Sequence, residues 1–89
     1  MEIRHTRSST RHRISRPRSR YVVETAGVIF AEPAPSGSVL TDPRLVFLGP
    51  DQQGELLEVM AIQTDDGGLL IIHAQPIRDR YLRCLEGGF

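Results

Sequence analysis

The amino-acid sequence predicts an α+β domain with N-terminal helices, an antiparallel sheet of three to four strands and a C-terminal helix. Two observations lead to this prediction. Apolar residues recur at helical spacing in the first third of the chain, and three apolar runs separated by turn residues follow. The length of 89 residues, 39% of them hydrophobic and 25% charged, suits a single domain over residues 1–89. The expected order of elements is α-α-β-β-β-α.

The N-terminal part is interpreted as two helices. Residues 3–14 are too polar to bury a wide face, and they predict only a short helix. They belong to an arginine-rich segment, residues 1–16, that we expect to be partly flexible. Ser15, followed by a proline in the first turn, marks the start of a second helix, which is predicted over 17–31.

The rest of the chain predicts a connection, three strands and a last helix. Residues 33–43 contain three prolines, a glycine and two serines, and are interpreted as a surface connection. The strands and the helix are predicted over 44–49, 55–64, 69–74 and 77–85. The last strand begins apolar on both faces, which is typical of a strand covered on both sides. Gly87 and Gly88 lie beyond the helix and are interpreted as its end.

The composition excludes several kinds of chemistry. Cys84 is the only cysteine, so an intramolecular disulfide and a zinc site built on a cysteine pair are excluded. Lysine-based catalysis is also excluded, because the chain has no lysine and arginine keeps its proton. No metal-ligand spacing or nucleotide-binding motif occurs, so we expect no metal and no cofactor. No apolar run could span a bilayer and no signal peptide is recognised, so we expect a cytoplasmic protein without a membrane partner.

The net charge of zero hides a strong division along the chain. Residues 1–20 carry seven arginines against one glutamate, whereas the remainder carries four arginines against ten acids. Three interpretations remain open: contact with nucleic-acid phosphates, a solvated arm, or neutralisation of the acidic remainder within the fold. The same segment holds His5 and His12, which are seven positions apart and would share one face of a helix.

The segment from His73 to Tyr81 holds the side chains best suited to chemistry. His73 ends the last predicted strand, and Arg78, Arg80 and Tyr81 follow it. A metal-free ribonuclease needs a group that takes the 2′-OH proton, a cation for the phosphorane and an acid for the departing 5′-oxygen. An imidazole, a guanidinium and a phenol supply these functions. The alternative is that the imidazole only forms a hydrogen bond at the strand end, the tyrosine packs on the sheet and the arginines are solvated.

Several short motifs resemble those of small bacterial toxins. They are Arg4-His5 with Arg11, a helix end at Glu32-Pro33, the run from Arg44 to Asp51 before a hairpin, and the run 69–74 followed by Pro76 to Tyr81. Their order is similar to that of the BrnT-like branch of the RelE/ParE-like superfamily, the toxins of type II toxin–antitoxin systems. The resemblance depends mainly on His73-Ala74 at a strand end and on Arg78-Asp-Arg80-Tyr81 at a helix start.

The resemblance implies a RelE-like fold and a metal-independent endoribonuclease that cleaves messenger RNA, either free or on the ribosome. It implies catalytic roles for His73, Arg78 and Tyr81. The expected partners are RNA and a cognate antitoxin protein, in a toxin–antitoxin hetero-oligomer. The residues that we expect to bind RNA are Arg4, His5, Arg11, Arg13 and Arg80.

Two alternatives remain open. ParE-like proteins inhibit DNA gyrase and cleave nothing, so activity does not follow from fold. Many relatives also use lysine in the cleft, and this chain has none. The alternatives are therefore a non-enzymatic inhibitor of a large partner such as gyrase, and a nucleic-acid-binding accessory module that acts through its arginine-rich segment.

Overall fold

The protein has an α+β structure in which a mixed sheet carries one helix on each face. The computed structural model describes residues 2–37 and 42–86. The elements of the described residues are β1 (Ile3–His5), a 3₁₀ turn (Arg7–Thr10), α1 (Arg16–Thr25), β2 (Val28–Glu32), β3 (Arg44–Pro50), β4 (Leu56–Gln63), β5 (Leu69–Pro76) and α2 (Asp79–Leu85). The strand order is β1-β5-β4-β3-β2, with β1 parallel to β5 and the other pairs antiparallel.

The three consecutive strands β3, β4 and β5 confirm the predicted hairpins. The turns that join them contain Gly54 at φ 86° and Gly67 at φ 83°, in the left-handed region that glycine adopts without steric cost. β5 lies between β1 and β4 and is covered on both faces, as its apolar start predicts. The register shifts between Met60 and Ala61, so that β5 carries one extra residue beside His73.

The prediction of a helix over 3–14 is wrong. Ile3–His5 is a strand, and the chain continues as a single 3₁₀ turn. Backbone hydrogen bonds tie this strand to β5 at both ends, from Leu69 N–H to the Glu2 carbonyl at 2.8 Å and from Thr6 N–H to the Ile71 carbonyl at 2.9 Å. The free edge of β5 thus decides the conformation of a segment whose own pattern is weak.

The predicted helix over 17–31 is only partly right. Ser15 caps the helix as expected, since its hydroxyl accepts the Arg18 N–H at 3.4 Å, but α1 ends at Thr25. Gly27 separates it from β2, which pairs with β3 along its whole length. Helix propensity is low across the glycine and the β-branched and aromatic residues that follow, and pairing with β3 supplies their backbone partners. The sheet is therefore mixed and has five strands in the described part, instead of three to four antiparallel ones.

Each face of the sheet has its own hydrophobic core. The core under α1 is made of Ile3, Ile14, Val22, Val23, Phe47, Leu57, Val59, Ala61, Leu69, Ile71 and Ala74. The smaller core under α2 is made of Val46, Leu48, Met60 and Tyr81, with partly buried apolar residues around them. Successive side chains of β3 and β4 point to opposite faces of the sheet and pack in different cores. The sequences of these strands are therefore apolar at most positions instead of at every second one.

Some predictions concern residues outside the described ranges. They are residues 38–41 of the proline-rich connection and the glycines at 87 and 88. Within the described part, neither helix is long and apolar enough to cross a membrane.

An ion-pair cluster ties α1 to the β3–β4 turn. The side chain of Asp51 is fully buried and accepts the Nε–H of Arg18 at 2.8 Å. The same carboxylate accepts backbone N–H groups from Gln53 and Glu55, and Arg18 also pairs with the carboxylate of Glu55. Burial acts to raise the pKa of Asp51, but the hydrogen bonds from Arg18, Glu55 and Gln53 together with the charge of Arg18 lower it below its usual value.

We expect Arg18→Ala to lower the thermal unfolding midpoint by about 5 °C or more, because it leaves a buried carboxylate without its cation. Arg20→Ala is the matched control, since Arg20 lies on the same helix in an exposed pair with Glu24. Its midpoint should move by less than about 2 °C. Equal shifts in the two variants, measured by circular dichroism, would show that the cluster does not anchor the helix.

Candidate active site

A polar cleft of about 260 Å³ opens on the face of the sheet that carries α2. Its floor comes from the strands and one wall comes from the start of α2. The lining residues are Glu32, Pro35, Arg44, Met60, His73, Arg78, Arg80 and Tyr81. The three residues with predicted catalytic roles therefore line one cleft, together with one of the residues predicted to bind RNA.

Strand register explains why these side chains meet. Met60 pairs with His73 across β4 and β5, and Glu32 pairs with Arg44 across β2 and β3. Side chains alternate along a strand, so Glu58 lies on the same face as Met60. The sheet thus places acidic, basic and imidazole groups under the first turn of α2.

The buried carboxylate of Glu58 fixes the start of α2. Its side chain is 0% exposed. It accepts the backbone N–H of Arg78 at 2.8 Å, and it also accepts the guanidinium Nε at 3.0 Å and Nη2 at 2.7 Å. Arg78 is the residue that precedes the helix, so one carboxylate holds both its backbone and its side chain. Buried charges require this kind of pairing.

The charge of Glu58 is stabilised from two sides. Burial alone would raise its pKa, but the neighbouring imidazole of His73 and the hydrogen bonds from Arg78 lower it to about 2. His73 Nε2 lies 3.8 Å from Glu58 Oε2, which is too long for a hydrogen bond. A small movement of the ring would close this gap, and such contacts often tighten when substrate binds.

The phenol of Tyr81 is held by Glu32. Tyr81 is 3% exposed, and its hydroxyl donates to the two Glu32 carboxylate oxygens at 2.9 and 2.8 Å. Burial, together with this bond, raises the pKa of Tyr81 to about 12. The ring also lies beside two cations, with the Arg80 guanidinium 4.8 Å and the Arg78 guanidinium 5.5 Å from its centroid. Tyr81 therefore keeps its proton and positions the arginines.

A second histidine, from the arginine-rich segment, contacts His73. The rings of His12 and His73 are in edge-to-face contact, with centroids 5.3 Å apart. His12 follows the 3₁₀ turn, which packs against β5 beside β1. Arg13 next to it has φ 64°, a conformation that is uncommon for a residue other than glycine, and this turn brings Ile14 back into the core. The sequence placed His12 with His5 on a helix, and the structure separates the two.

The residues predicted to bind RNA do not all lie near the cleft. Arg4 pairs with Glu2 and Asp66 at 3.5 Å each. His5 is half-buried, its Nε2 is 3.0 Å from the hydroxyl of Ser19, and desolvation lowers its pKa. Of the others, Arg80 lines the cleft, whereas Arg11 and Arg13 are the exposed sequence neighbours of His12, whose ring contacts His73.

The N-terminal arginines are used in two ways. Some neutralise acids within the fold, as Arg4 and Arg18 do. Four others form no ion pair in the described part of the chain, namely Arg7, Arg11, Arg13 and Arg16. Two of these flank His12, so the exposed positive charge extends toward the cleft.

Three cleft residues escaped the sequence analysis. Glu58 and Arg44 stand alone within apolar strands, and Glu32 ends a segment that was assigned to a helix. Glu58 could have been found because it is a single acid inside an eight-residue, largely apolar strand. A buried carboxylate without a partner is too costly to retain, so such an acid indicates a paired, buried group. Within residues 2–37 and 42–86, no group of three histidine, cysteine or acidic side chains is arranged to hold a metal ion.

Two buried side-chain nitrogens among the described residues lack a hydrogen bond, and both belong to this cleft. They are Nε of Arg44 and Nε2 of His73. Buried polar atoms in proteins are nearly always satisfied, so unsatisfied ones call for an explanation. Nε2 of His73 lies 3.8 Å from the Glu58 carboxylate, within reach of a small ring movement, so Nε of Arg44 is the donor that lacks a partner among the described residues.

We expect Glu58→Gln to lower the free energy of unfolding at neutral pH by about 3 kcal/mol, because a buried ion pair loses one partner. The pKa of Glu58 is lowered from 4.5 to about 2, so its contribution to stability is complete above pH 4.5 and is lost as pH falls toward 2. Urea unfolding between pH 7 and 2.5 should therefore show a steeper acid loss in the wild type than in the variant. Glu24→Gln, at an exposed carboxylate, is the control and should follow the wild type. Parallel curves for wild type and Glu58→Gln would contradict the assignment.

The chain was compared with known proteins once the site had been located. No family model, curated protein or solved structure matches it. The case for a function therefore depends on the chemistry of the cleft: two imidazoles in contact, three arginines and a buried carboxylate that holds one of them.

Proposed function

We propose that this protein is a metal-independent endoribonuclease and the toxin of a bacterial toxin–antitoxin system. The observation that carries the proposal is the contact between the imidazoles of His12 and His73 beside a cleft lined by three arginines. Paired imidazoles exchange protons near neutral pH, and arginines bind phosphate. The resemblance of the sequence to BrnT-like toxins supports the same proposal. We propose with it that the fold is a variant of the RelE-like fold.

The reaction needs no cofactor. One imidazole takes the proton of a ribose 2′-OH while the 2′-oxygen forms a bond to phosphorus and the bond from phosphorus to the 5′-oxygen breaks. The second histidine, in its protonated form, gives its proton to the departing 5′-oxygen. The products are a 2′,3′-cyclic phosphate and a 5′-hydroxyl, and exchange with water restores both histidines.

The surroundings of His73 and His12 favour the role of base for the first and of acid for the second. His73 lies beside the buried carboxylate of Glu58, which can orient its ring, so we assign His73 the role of the base. Its Nε2 faces that carboxylate and leaves Nδ1 for the substrate. His12 is exposed and can exchange protons with water, so it is the acid. In this mechanism Tyr81 does not transfer a proton, which departs from the role that the resemblance implies.

The arginines stabilise the charge of the phosphorane. Arg78 uses Nε and Nη2 on Glu58 and keeps Nη1 free, and its side chain is 46% exposed. The Arg80 guanidinium lies 4.8 Å from the centroid of the Tyr81 ring, and its side chain is more exposed than that of Arg78. Fixed cations of this kind act without reorganisation at the moment of reaction. Arg11 and Arg13 then contact phosphates further along the RNA.

The remaining parts of the proposal concern partners. A cognate antitoxin protein would neutralise the toxin most simply by covering the arginine-lined cleft in a hetero-oligomer. The site of action is then messenger RNA in the cytoplasm. The cleft gives no reason to favour gyrase, because proton transfer by paired imidazoles serves no purpose in a pure inhibitor.

We expect the purified protein to cleave RNA in the presence of EDTA and to leave 2′,3′-cyclic phosphate ends. His73→Ala and His12→Ala should each lower kcat/KM by about 100-fold or more, which is the usual contribution of a general acid or base. Tyr81→Phe should cost less than about 10-fold, because the phenol only positions the arginines. Arg83→Ala, at an exposed position of α2 away from the cleft lining, is the control and should cleave like the wild type.

Full cleavage by the His12/His73 double alanine variant, with circular dichroism unchanged, would contradict the mechanism. Intact RNA together with inhibition of gyrase supercoiling would replace the proposal with the non-enzymatic alternative. Induced expression in a bacterial host adds a readout in cells. Growth arrest by the wild type and not by His73→Ala would support a toxin that works through this cleft.

A further inference from the structure

Arg44 is a partly buried arginine whose Nε lacks a hydrogen-bond partner among the described residues. Its Nε is buried and makes no hydrogen bond, and the described residues offer it no ion pair. An unsatisfied buried donor on a charged group is costly, and such a group is retained where a bound partner satisfies it. The guanidinium lines the cleft, so the partner enters from the cleft.

The acid nearest to Arg44 in the sheet is already engaged. Glu32 pairs with Arg44 in strand register, but its carboxylate accepts the Tyr81 hydroxyl and lies 3.8 Å from Arg80 Nη2. With the buried Glu58 included, three arginines of the cleft face two carboxylates, an excess of one positive charge. This excess matches one phosphodiester group.

Arg44 enters the cleft from a different strand than His73. It lies on β3, whereas His73 lies on β5, and β4 runs between them. Two strand spacings separate the backbones by roughly 10 Å. This separation suits two neighbouring phosphates of one RNA strand, one at the histidines and one at Arg44.

We propose that Arg44 forms a second phosphate-binding position, which takes the phosphodiester next to the scissile one in single-stranded RNA. This inference depends on the proposed endoribonuclease function. To reach the buried Nε, the phosphate must enter a small cleft. An unpaired RNA strand can bend to place a phosphate there, whereas a stacked duplex cannot. Arg44 binds through its planar fork, so lysine does not replace it fully.

The test uses 2′-O-methyl oligonucleotides, which lack the attacking hydroxyl, with either one or two phosphodiester groups. Wild type should bind the probe with two phosphates about 10-fold more tightly than the probe with one. Arg44→Gln should lose this gain, and Arg44→Lys should keep only part of it. Arg83→Gln makes the same chemical change at an exposed position outside the cleft and should keep the full gain.

Two further readouts separate this inference from the proposed function. In cleavage of unmodified RNA, Arg44→Gln should raise KM about 10-fold and leave kcat within about 2-fold. In NMR spectra, the Arg44 Nε–H signal should shift when the probe with two phosphates is added, whether or not the protein cuts RNA. Unchanged stability of Arg44→Gln is expected as well, since the group has no internal partner to lose.

The outcomes are distinct. Normal RNA cleavage with an unchanged KM in Arg44→Gln would overturn the second position and leave the endoribonuclease intact. A shifted Nε–H signal without any RNA cleavage would retain Arg44 as a phosphate site and overturn the proposed function. A lower unfolding midpoint in Arg44→Gln would assign Arg44 a structural role and overturn the inference.

Discussion

The buried pairing of Glu58 with Arg78 is the constraint on which the site depends. A carboxylate without solvent contact, set in an apolar strand, requires a cation and several hydrogen bonds. Arg78 supplies both its guanidinium and its backbone N–H, so the first turn of α2 can begin at only one place on the sheet. Arg80 and Tyr81 lie in that first turn, so the position of Arg78 also determines theirs. A single strand residue thus determines where the wall of the cleft stands.

The sequence predicted the fold best where the pattern is local. The strands β3, β4 and β5 have apolar runs bounded by glycine turns, and such runs are read without knowledge of their partners. β1 and β2 were missed because they are edge strands, each defined by the neighbour to which it bonds. Gly27 was the available warning that the helix stops before the segment that became β2. Tertiary pairing overrode weak helical spacing in both places.

The site was predicted in part for a similar reason. His73, Arg78 and Tyr81 lie within nine positions of one another, so a strand end and a helix start bring them together without long-range information. Glu58 and Arg44 come from other strands, and His12 from beyond the far edge of β5. Their contributions depend on strand order and register, which the sequence did not reveal.

The parallel pairing of β1 with β5 joins the first strand of the sheet to its last. β1 can bond to β5 only after β5 has been made. The contact between His12 and His73 likewise joins residues that lie far apart in the sequence. Long-range pairings of this kind form late and slowly. Because a chain is made from its N-terminus, the arginine-rich segment is made well before its partner strand. Until β5 has been made, the chain carries the positive charge of that segment but not the contact between His12 and His73.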